Sequence, residues 1–515
     1  MLFLKNVFQK LELFLKTMSN RINYIQQEKI RKMTLKTPEE YLESIKRPVN
    51  LYMFGEKVEE FWNHPIIKPS INTVMKIYEL AQMDEHKDLM TTISHLTGES
   101  INRFTHIHQS TEDLIKKVKM QRLLGQFTAC CFQRCVGFDT ANSLYSVTYE
   151  MDKKYGTDYH ARFKKYWIEV QREDLMVDGA MTDTKGDRSK RPKDQPDPDA
   201  YLHIVDTMDD GIVVRGAKVH QTGFLNSHRA IIMPTLSLRS GEEQYAVSFG
   251  IDTDVKGITM IYGRQSCDTR KMEPGKLDIG NFKFGGQEIF VVFDDVFVPN
   301  ENIFMNGEIE FSGELVNRFA GFHRQSYGGC KVGVGDVLIG ATALISEYNG
   351  TEKASHIKDK LVEMTHLNET LYSCGIACSS LGFQRDSGNY EMDMLLANVC
   401  KLNVTRFPYE IGRLAEDIAG GMICTMPSEA DLKSKEIGSL IEKYLTTCEG
   451  ICTEDRYKVL RFIENLTMGV ASVSYRTESM HGAGSPQAQR IMISRQANLE
   501  EKKKLVKRIL DIDSE

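Results

Sequence analysis

From about Thr37 to Tyr166, apolar residues recur at three- and four-residue spacing, as in SINTVMKIYELAQM and EDLIKKVKMQRLLGQFTACCFQ, and this predicts helices. The texture changes at DGAMTDTKGDRSKRPKDQPDPDA, Asp178 to Ala200, which is polar and holds three of the chain's 13 prolines. It reads as a long loop, and long ordered loops tend to be functional. From Tyr201 to about Pro299 the pattern is that of strands. YLHIVDTMDDGIVVRGAKV sets strand-like runs on either side of Asp209-Asp210-Gly211, a hairpin signal. YAVSFGI, ITMIYG and EIFVVFDDVFVP continue it. Helical spacing returns near Glu314 and runs almost to the end. The order is helix, β, helix, with boundaries near 170 and 310: a helical domain over 18–170, a β domain over 171–310 and a second helical domain over 311–515. No internal repeat interrupts it.

The extension 1–17, MLFLKNVFQKLELFLKT, stands apart. Lys5, Lys10, Glu12 and Lys16 interrupt any signal-peptide core, and no small-residue cleavage site follows. The pattern also suits an amphipathic surface helix. From Met18, MSNRINYIQQEKIRKM resembles an ordinary cytosolic start, so the extension is expected to be dispensable.

Composition narrows the function classes. With 515 residues, 41% apolar and 26% charged, the chain has globular composition and ample length to bury cores. A net charge of −6 offers no basic excess for nucleic acid. No run of 18 apolar residues occurs, so a membrane-spanning helix is not expected. Eleven cysteines are too few for a disulfide scaffold of this length and read as reduced thiols or metal ligands, which implies the cytoplasm.

Several motifs are missing. GxxxxGK[ST] and HExxH do not occur, and Gly333-Val334-Gly335 lacks the third glycine of a dinucleotide fingerprint. The cysteines say more. Three CxxxC pairs occur: Cys131/Cys135, Cys374/Cys378 and Cys448/Cys452. On a helix each would offer two thiolates from one face, although a free cysteine is equally at home in a core. The later pairs have no histidine nearby. Cys131 and Cys135, in ACCFQRCVGFD, enclose Gln133 and Arg134 and precede Gly137, which suggests a helix end with polar groups aimed at something; Cys130 reads as core.

A second cluster is GFHRQSYGGCK, Gly321 to Lys331, where His323, Tyr327 and Cys330 fall at i, i+4 and i+7 on one helical face. Imidazole, phenol and thiol on one stripe make poor core. Gly328 and Gly329 each cost a helix about 1 kcal/mol relative to alanine, a cost that accompanies close approach of a ligand or another backbone. Three thiolates and one imidazole suit an iron–sulfur cluster or a zinc ion.

CxxxC in ACCFQRCVGFD followed far downstream by HxxxYxxCK, with the closing segment TESMHGAGSPQAQRIMI, resembles the 4-hydroxybutyryl-CoA dehydratase family over nearly the whole chain from Ser19. The resemblance implies an α+β multidomain, acyl-CoA dehydrogenase-like fold: an N-terminal helical domain, a middle β-barrel and a C-terminal helical bundle. The wider superfamily of flavin-dependent 4-hydroxyphenylacetate 3-monooxygenases shares that scaffold and is expected to lack the cysteine and histidine ligands. By position, the resemblance implies a [4Fe-4S] cluster on Cys131, Cys135, His323 and Cys330. It gives active-site roles to Tyr327, Lys331, Glu288, Glu478 and Gln133, and places Thr222 beside a flavin. FAD is expected against the loop Met181, Thr182, Asp183, Lys185, Asp187 and Arg188, against His220, and at HGAGSPQ, where Ser485 and Pro486 form an N-cap and N1 pair opening the last helix, a phosphate-attracting end.

The implied reaction is dehydration of 4-hydroxybutyryl-CoA to crotonyl-CoA, together with isomerisation of vinylacetyl-CoA. The thioester acidifies only the α carbon, and the β proton that must leave is not activated. Acid–base catalysis contributes about 10²–10⁴-fold and cannot remove it unaided. Transient withdrawal of one electron into FAD acidifies it, and the electron then returns, so a redox cofactor serves a reaction with no net redox change. The cluster would act as a Lewis acid toward the leaving hydroxyl. An oxygen-sensitive homotetramer is also implied, with a CoA thioester as its substrate and neither nucleic acid nor membrane as a partner. The rivals are a two-component flavin-dependent phenol monooxygenase and a zinc-bearing binding protein.

Overall fold

The computed structural model describes residues 35–512; the extension 1–17 lies outside them. The strands expected between Tyr201 and Pro299 are present, and the hairpin at Asp209 joins strands His203–Thr207 and Gly211–Thr222. They belong to two sheets, in place of the expected barrel. Six strands pair in the order Glu56–Lys57, Leu51–Met53, Ile258–Tyr262, Glu288–Pro299, Gly211–Thr222, His203–Thr207. Four more pair in the order Ile303–Asn306, Val247–Asp252, Arg229–Ile232, Val177–Ala180. Among the strands that were not expected, two add in parallel. Leu51–Met53, from the helical N-terminal region, adds in parallel to Ile258–Tyr262. Val177–Ala180, where the long loop was expected to begin, adds in parallel to Arg229–Ile232 and is wholly buried. Asp178 masks that strand in the sequence because it places a carboxyl inside.

Five helices frame the chemistry: α1 (Thr111–Thr128), α2 (Cys135–Tyr155), α3 (Ile309–Tyr348), α4 (Ser355–Ser380) and α5 (Met394–Val404). Ser110 caps α1, its hydroxyl accepting the Asp113 amide at 3.1 Å. α1 ends at Ala129, which takes a left-handed backbone. α3 is a single helix of 40 residues, long and apolar enough to cross a membrane by those two criteria; more than half of its most apolar stretch is buried inside the protein.

Its glycines explain the packing. A Cβ on Gly329 would lie 2.4 Å from the Val118 carbonyl oxygen of α1, and one on Gly328 would lie 2.5 Å from Gly375 Cα of α4. Of the two readings of this pair, close approach of another backbone is what the fold uses. α1, α3 and α4 thus touch backbone to backbone, and the face of α3 bearing His323 and Cys330 is fixed against α1 and α2.

Candidate active site

The turn between α1 and α2 presents the first thiols. Helical spacing does not apply to Cys131 and Cys135: Cys131 lies in the turn and Cys135 opens α2. Gln133 between them adopts a left-handed φ of 68°, which reverses the chain and brings both cysteines to one side. Gln133 and Arg134 are buried against the protein. The Gln133 amide donates to the Ser70 carbonyl at 3.0 Å and accepts from Asn226 at 2.8 Å. Arg134 pairs with Asp174 at 2.7 Å. The two side chains brace the thiol-bearing turn from behind.

α3 supplies the other donors. Cys135 lies beside Cys131 and faces Cys330; the Cys131 thiol first, then burial, hold its own thiol well above the usual range. Burial, opposed by Lys331 and reinforced by Cys131 and Glu478, pushes Cys330 up to about 12. Thiols so placed ionise readily only when a cation meets them. His323 Nδ1 lies 2.8 Å from the Asp139 carboxylate on α2. Asp139 is itself paired with the buried Lys117 at 2.5 Å and accepts from Ser326 at 3.2 Å. With Nδ1 engaged, Nε2 is the ring nitrogen left for another partner, which is how proteins present a histidine to a metal. The donor set therefore suits a metal group. Among the described residues, no three His, Cys, Asp or Glu side chains converge closely enough to hold a single metal ion.

Carboxylates and a phenol surround these donors. In the Glu288–Pro299 strand, register opposes Glu288 to Thr222, and the Thr222 hydroxyl donates to the Glu288 carboxylate at 2.7 Å. Burial, then the charge of Glu478, hold Glu288 well above the usual carboxylate range, with Thr222 partly opposing. Asp178, wholly buried with both oxygens unpartnered among the described residues, adds to that effect; burial pushes Asp178 up to about 7. Lys331 Nζ donates to Glu478 Oε2 at 2.6 Å, while Glu478 Oε1 is buried without a partner among the described residues. Burial alone would lower Lys331; Glu478, Cys330 and Cys131 reverse that and raise it. Burial and the nearby anionic groups hold the Tyr327 phenol well above its usual range. Its oxygen would lie 2.1 Å from a Cβ at Gly482, a position only glycine can fill.

The expected flavin residues separate into two sets. Asp183 is buried and paired with Lys218 at 2.7 Å, Asp187 binds Ser189 within its own turn, and the Met181 and Thr182 carbonyls accept from Lys218 and Val219. These hold the loop together. Lys185 and Arg188 have no carboxylate within salt-bridge distance among the described residues. Burial, then Arg188, lower Lys185; burial, then Lys185 and His481, lower His220. The 181–188 loop and the HGAGSPQ turn thus converge on one cationic patch. Ser485 does precede helix Pro486–Gln496, but its hydroxyl makes no capping bond, and that helix is followed by another, Leu499–Ile509.

Cys374 and Cys378 lie within α4, and Cys448 and Cys452 both precede helix Thr453–Thr467. A cavity of about 820 Å³ opens elsewhere along α3, lined by Leu277, Phe282, Val337, Leu344 and Phe462, and holds none of the residues above. Asp139, Lys117, Asp178, Arg324 and Lys401 escaped the sequence reading. Their signal was a charge within an otherwise apolar helix or strand face, as in MLLANVCKLNV.

The 4-hydroxyphenylacetate 3-hydroxylase N-terminal family model matches residues 37–305, and its C-terminal counterpart matches 312–511. The chain is 61% identical to 4-hydroxybutyryl-CoA dehydratase/vinylacetyl-CoA-Delta-isomerase of Clostridium aminobutyricum, over 93% of this chain and all of that protein. An oxygen-tolerant archaeal 4-hydroxybutyryl-CoA dehydratase from N. maritimus superposes with a TM-score of 0.92 at 54% identity, covering 94% of this chain and 96% of that one. The oxygenase component of 4-hydroxyphenylacetate 3-monooxygenase, solved with FAD, shares the fold at a TM-score of 0.79 and 23% identity, over 92% of this chain and 98% of that one.

Proposed function

We propose a function from one premise: this chain belongs to the 4-hydroxyphenylacetate 3-hydroxylase family, and within it to the 4-hydroxybutyryl-CoA dehydratases. It dehydrates 4-hydroxybutyryl-CoA to crotonyl-CoA and isomerises vinylacetyl-CoA, with FAD and a [4Fe-4S] cluster. The observation that carries this reading is that Cys131, Cys135 and Cys330 neighbour one another and Tyr327, and that His323, its Nδ1 tied to Asp139, lies 5.1 Å from the same Tyr327 ring. A cubane is larger than a single ion and takes its donors from farther apart, which suits this set better than a zinc site does.

Cys131, Cys135, Cys330 and His323 Nε2 would hold the cluster. Lys185, Arg188, His220 and the uncapped start of helix Pro486–Gln496 would face the phosphates of FAD. When bound, FAD supplies a one-electron store, and the cluster supplies a Lewis acid for the leaving hydroxyl.

The chain's own residues handle protons and position. Glu478 Oε1 has no partner among the described residues and is the group free to take a proton from the substrate; Lys331 fixes its other oxygen. Glu288, held above the usual range, keeps a proton that Thr222 orients it to share. Tyr327, between the thiols and Glu478, passes protons in both reactions and, in dehydration, donates to the departing oxygen. Gln133 steadies the turn that carries two ligands. The helix–β–helix order supports kinship with acyl-CoA dehydrogenases, and a cytoplasmic homotetramer independent of membranes and nucleic acid completes the reading. Oxygen sensitivity is part of it too, and the oxygen-tolerant archaeal relative makes assay after aeration its direct check.

The test is anaerobic purification with iron, sulfide and FAD quantified, followed by assay with 4-hydroxybutyryl-CoA. A brown flavoprotein that forms crotonyl-CoA supports the reading. An iron-free flavoprotein that hydroxylates phenols, or a colourless zinc protein, refutes it.

A further inference from the structure

Lys401 lies in the apolar run MLLANVCKLNV of α5 and is fully buried. Its ammonium donates to the Ser479 carbonyl and stands 4.9 Å from the centre of the Tyr327 ring. Lys331 stands 5.0 Å from the same ring and holds the Ser474 carbonyl and the Glu478 carboxylate. Arg324, also buried, donates to the Ala483 carbonyl at 3.0 Å and to Asn398 at 2.8 Å. Three buried cations from α3 and α5 thus grip the 474–483 segment by its carbonyls. Glu478 is the one carboxylate paired with any of them among the described residues.

A buried ammonium without a carboxylate partner is costly. Methionine would fill the same volume without that cost. A lysine here is therefore explained by what its charge does. Next to the ring, the cation is attracted to its electron-rich face and favours release of the phenolic proton. At Ser479 it fixes the residue that follows Glu478.

Resting on the function proposed above, we propose that Lys401 is a positioning residue for the Tyr327–Glu478 pair and acts in its ammonium form. The groups facing it are Lys331, Arg324 and Tyr327 from α3, Cys400 from α5, and Glu478. Burial, then Lys331 and Arg324, pull Lys401 down to about 7, against Cys400 and Glu478. The ammonium is present below that pH and is lost as pH rises through it.

The experiment uses FAD-loaded, anaerobic holoenzyme. kcat and KM are measured for vinylacetyl-CoA isomerisation and 4-hydroxybutyryl-CoA dehydration, from about pH 6 to 9, in wild type, Lys401→Met and Lys401→Arg; this range brackets the lowered Lys401 titration. Wild-type kcat is expected to fall as pH rises through about 7. Lys401→Arg, which stays charged, should keep its turnover on the alkaline side. Lys401→Met should lose kcat by about tenfold or more at the acid end, without that pH step and with little change in KM. A Lys401→Met enzyme with wild-type kcat and pH profile overturns the inference. So does a Lys401→Arg enzyme whose turnover falls as wild type's does, and this comparison decides the matter if Lys401→Met does not fold. A wild-type protein that converts neither thioester overturns the proposed function and this inference with it. An active wild type with indifferent Lys401 variants overturns the inference alone.

Discussion

The thiol side of the site and the side proposed for the flavin are built differently. On the thiol side, each chemical group rests on a buried scaffold: Asp139 and Lys117 behind His323, Gln133 and Arg134 behind the cysteine turn, Lys331 behind Glu478. On the flavin side, half of the loop's charges are spent on holding the loop, and the others, Lys185 and Arg188, have no carboxylate within salt-bridge distance among the described residues. The first arrangement fixes donors before any cofactor arrives. The second leaves a cationic surface that an anionic cofactor would neutralise. Chemistry that depends on angles needs the former, and phosphate binding needs only the latter.

Replacing thiol donors should break the comparison most severely. Cys131→Ser, Cys135→Ser and Cys330→Ser should each lose iron and fall to background turnover while retaining FAD. Cys374→Ser, Cys378→Ser, Cys448→Ser and Cys452→Ser should leave iron unchanged. Iron loss in Cys448→Ser with Cys131→Ser unaffected would reverse the assignment. His323→Cys should keep iron and flavin yet lose turnover, because a thiolate adds charge and removes the imidazole; an active variant would show that the imidazole has no part in catalysis.

Next in size is Tyr327→Phe. Loss of a general acid should slow both dehydration and isomerisation by about 10²–10⁴-fold, with iron and FAD at wild-type levels in the same sample. Equal loss of iron would move Tyr327 from chemistry to scaffold.

Asp139→Asn probes the support itself. Losing the partner of a ligating histidine costs about 10–100-fold in metal affinity or activity. Iron retention during dilution should therefore drop and FAD should not. A variant that loses FAD and iron together would mean the two sides are coupled.

The smallest effect belongs to the flavin surface. Lys185→Ala should weaken FAD binding by about 1 kcal/mol or less, as for a partly exposed charge contact, read as a shift in FAD dissociation constant that shrinks at high salt. An unchanged constant would remove Lys185 from the phosphate site.

Legibility in the sequence followed the same division. His323, Tyr327 and Cys330 could be placed on one stripe because a helix converts spacing into direction. The Cys131 and Cys135 arrangement could not be derived that way. Two left-handed residues, Ala129 and Gln133, set it, and neither is a glycine or asparagine that would have announced a turn. The strands were readable from alternation, but which strands neighbour which was not. The parallel addition of Leu51–Met53 and Val177–Ala180 rests on contacts far apart in sequence, and two sheets form where the resemblance implied a barrel. Asp139, Lys117 and Lys401 stayed hidden because a buried charge gains its meaning from a partner on another helix.

The unbroken run of α3 makes it a keyed shaft. His323, Tyr327, Cys330 and Lys331 are cut into one rod, and the glycine contacts with α1 and α4 stop the rod from turning. One residue inserted or deleted between Gly321 and Lys331 would rotate everything beyond it by about 100°, swinging at least one donor out of the site while both neighbouring helices stayed put. Length changes beyond Tyr348 would leave that key untouched. The protein can therefore drift freely in the loops that follow the shaft, and hardly at all in the count of residues along it.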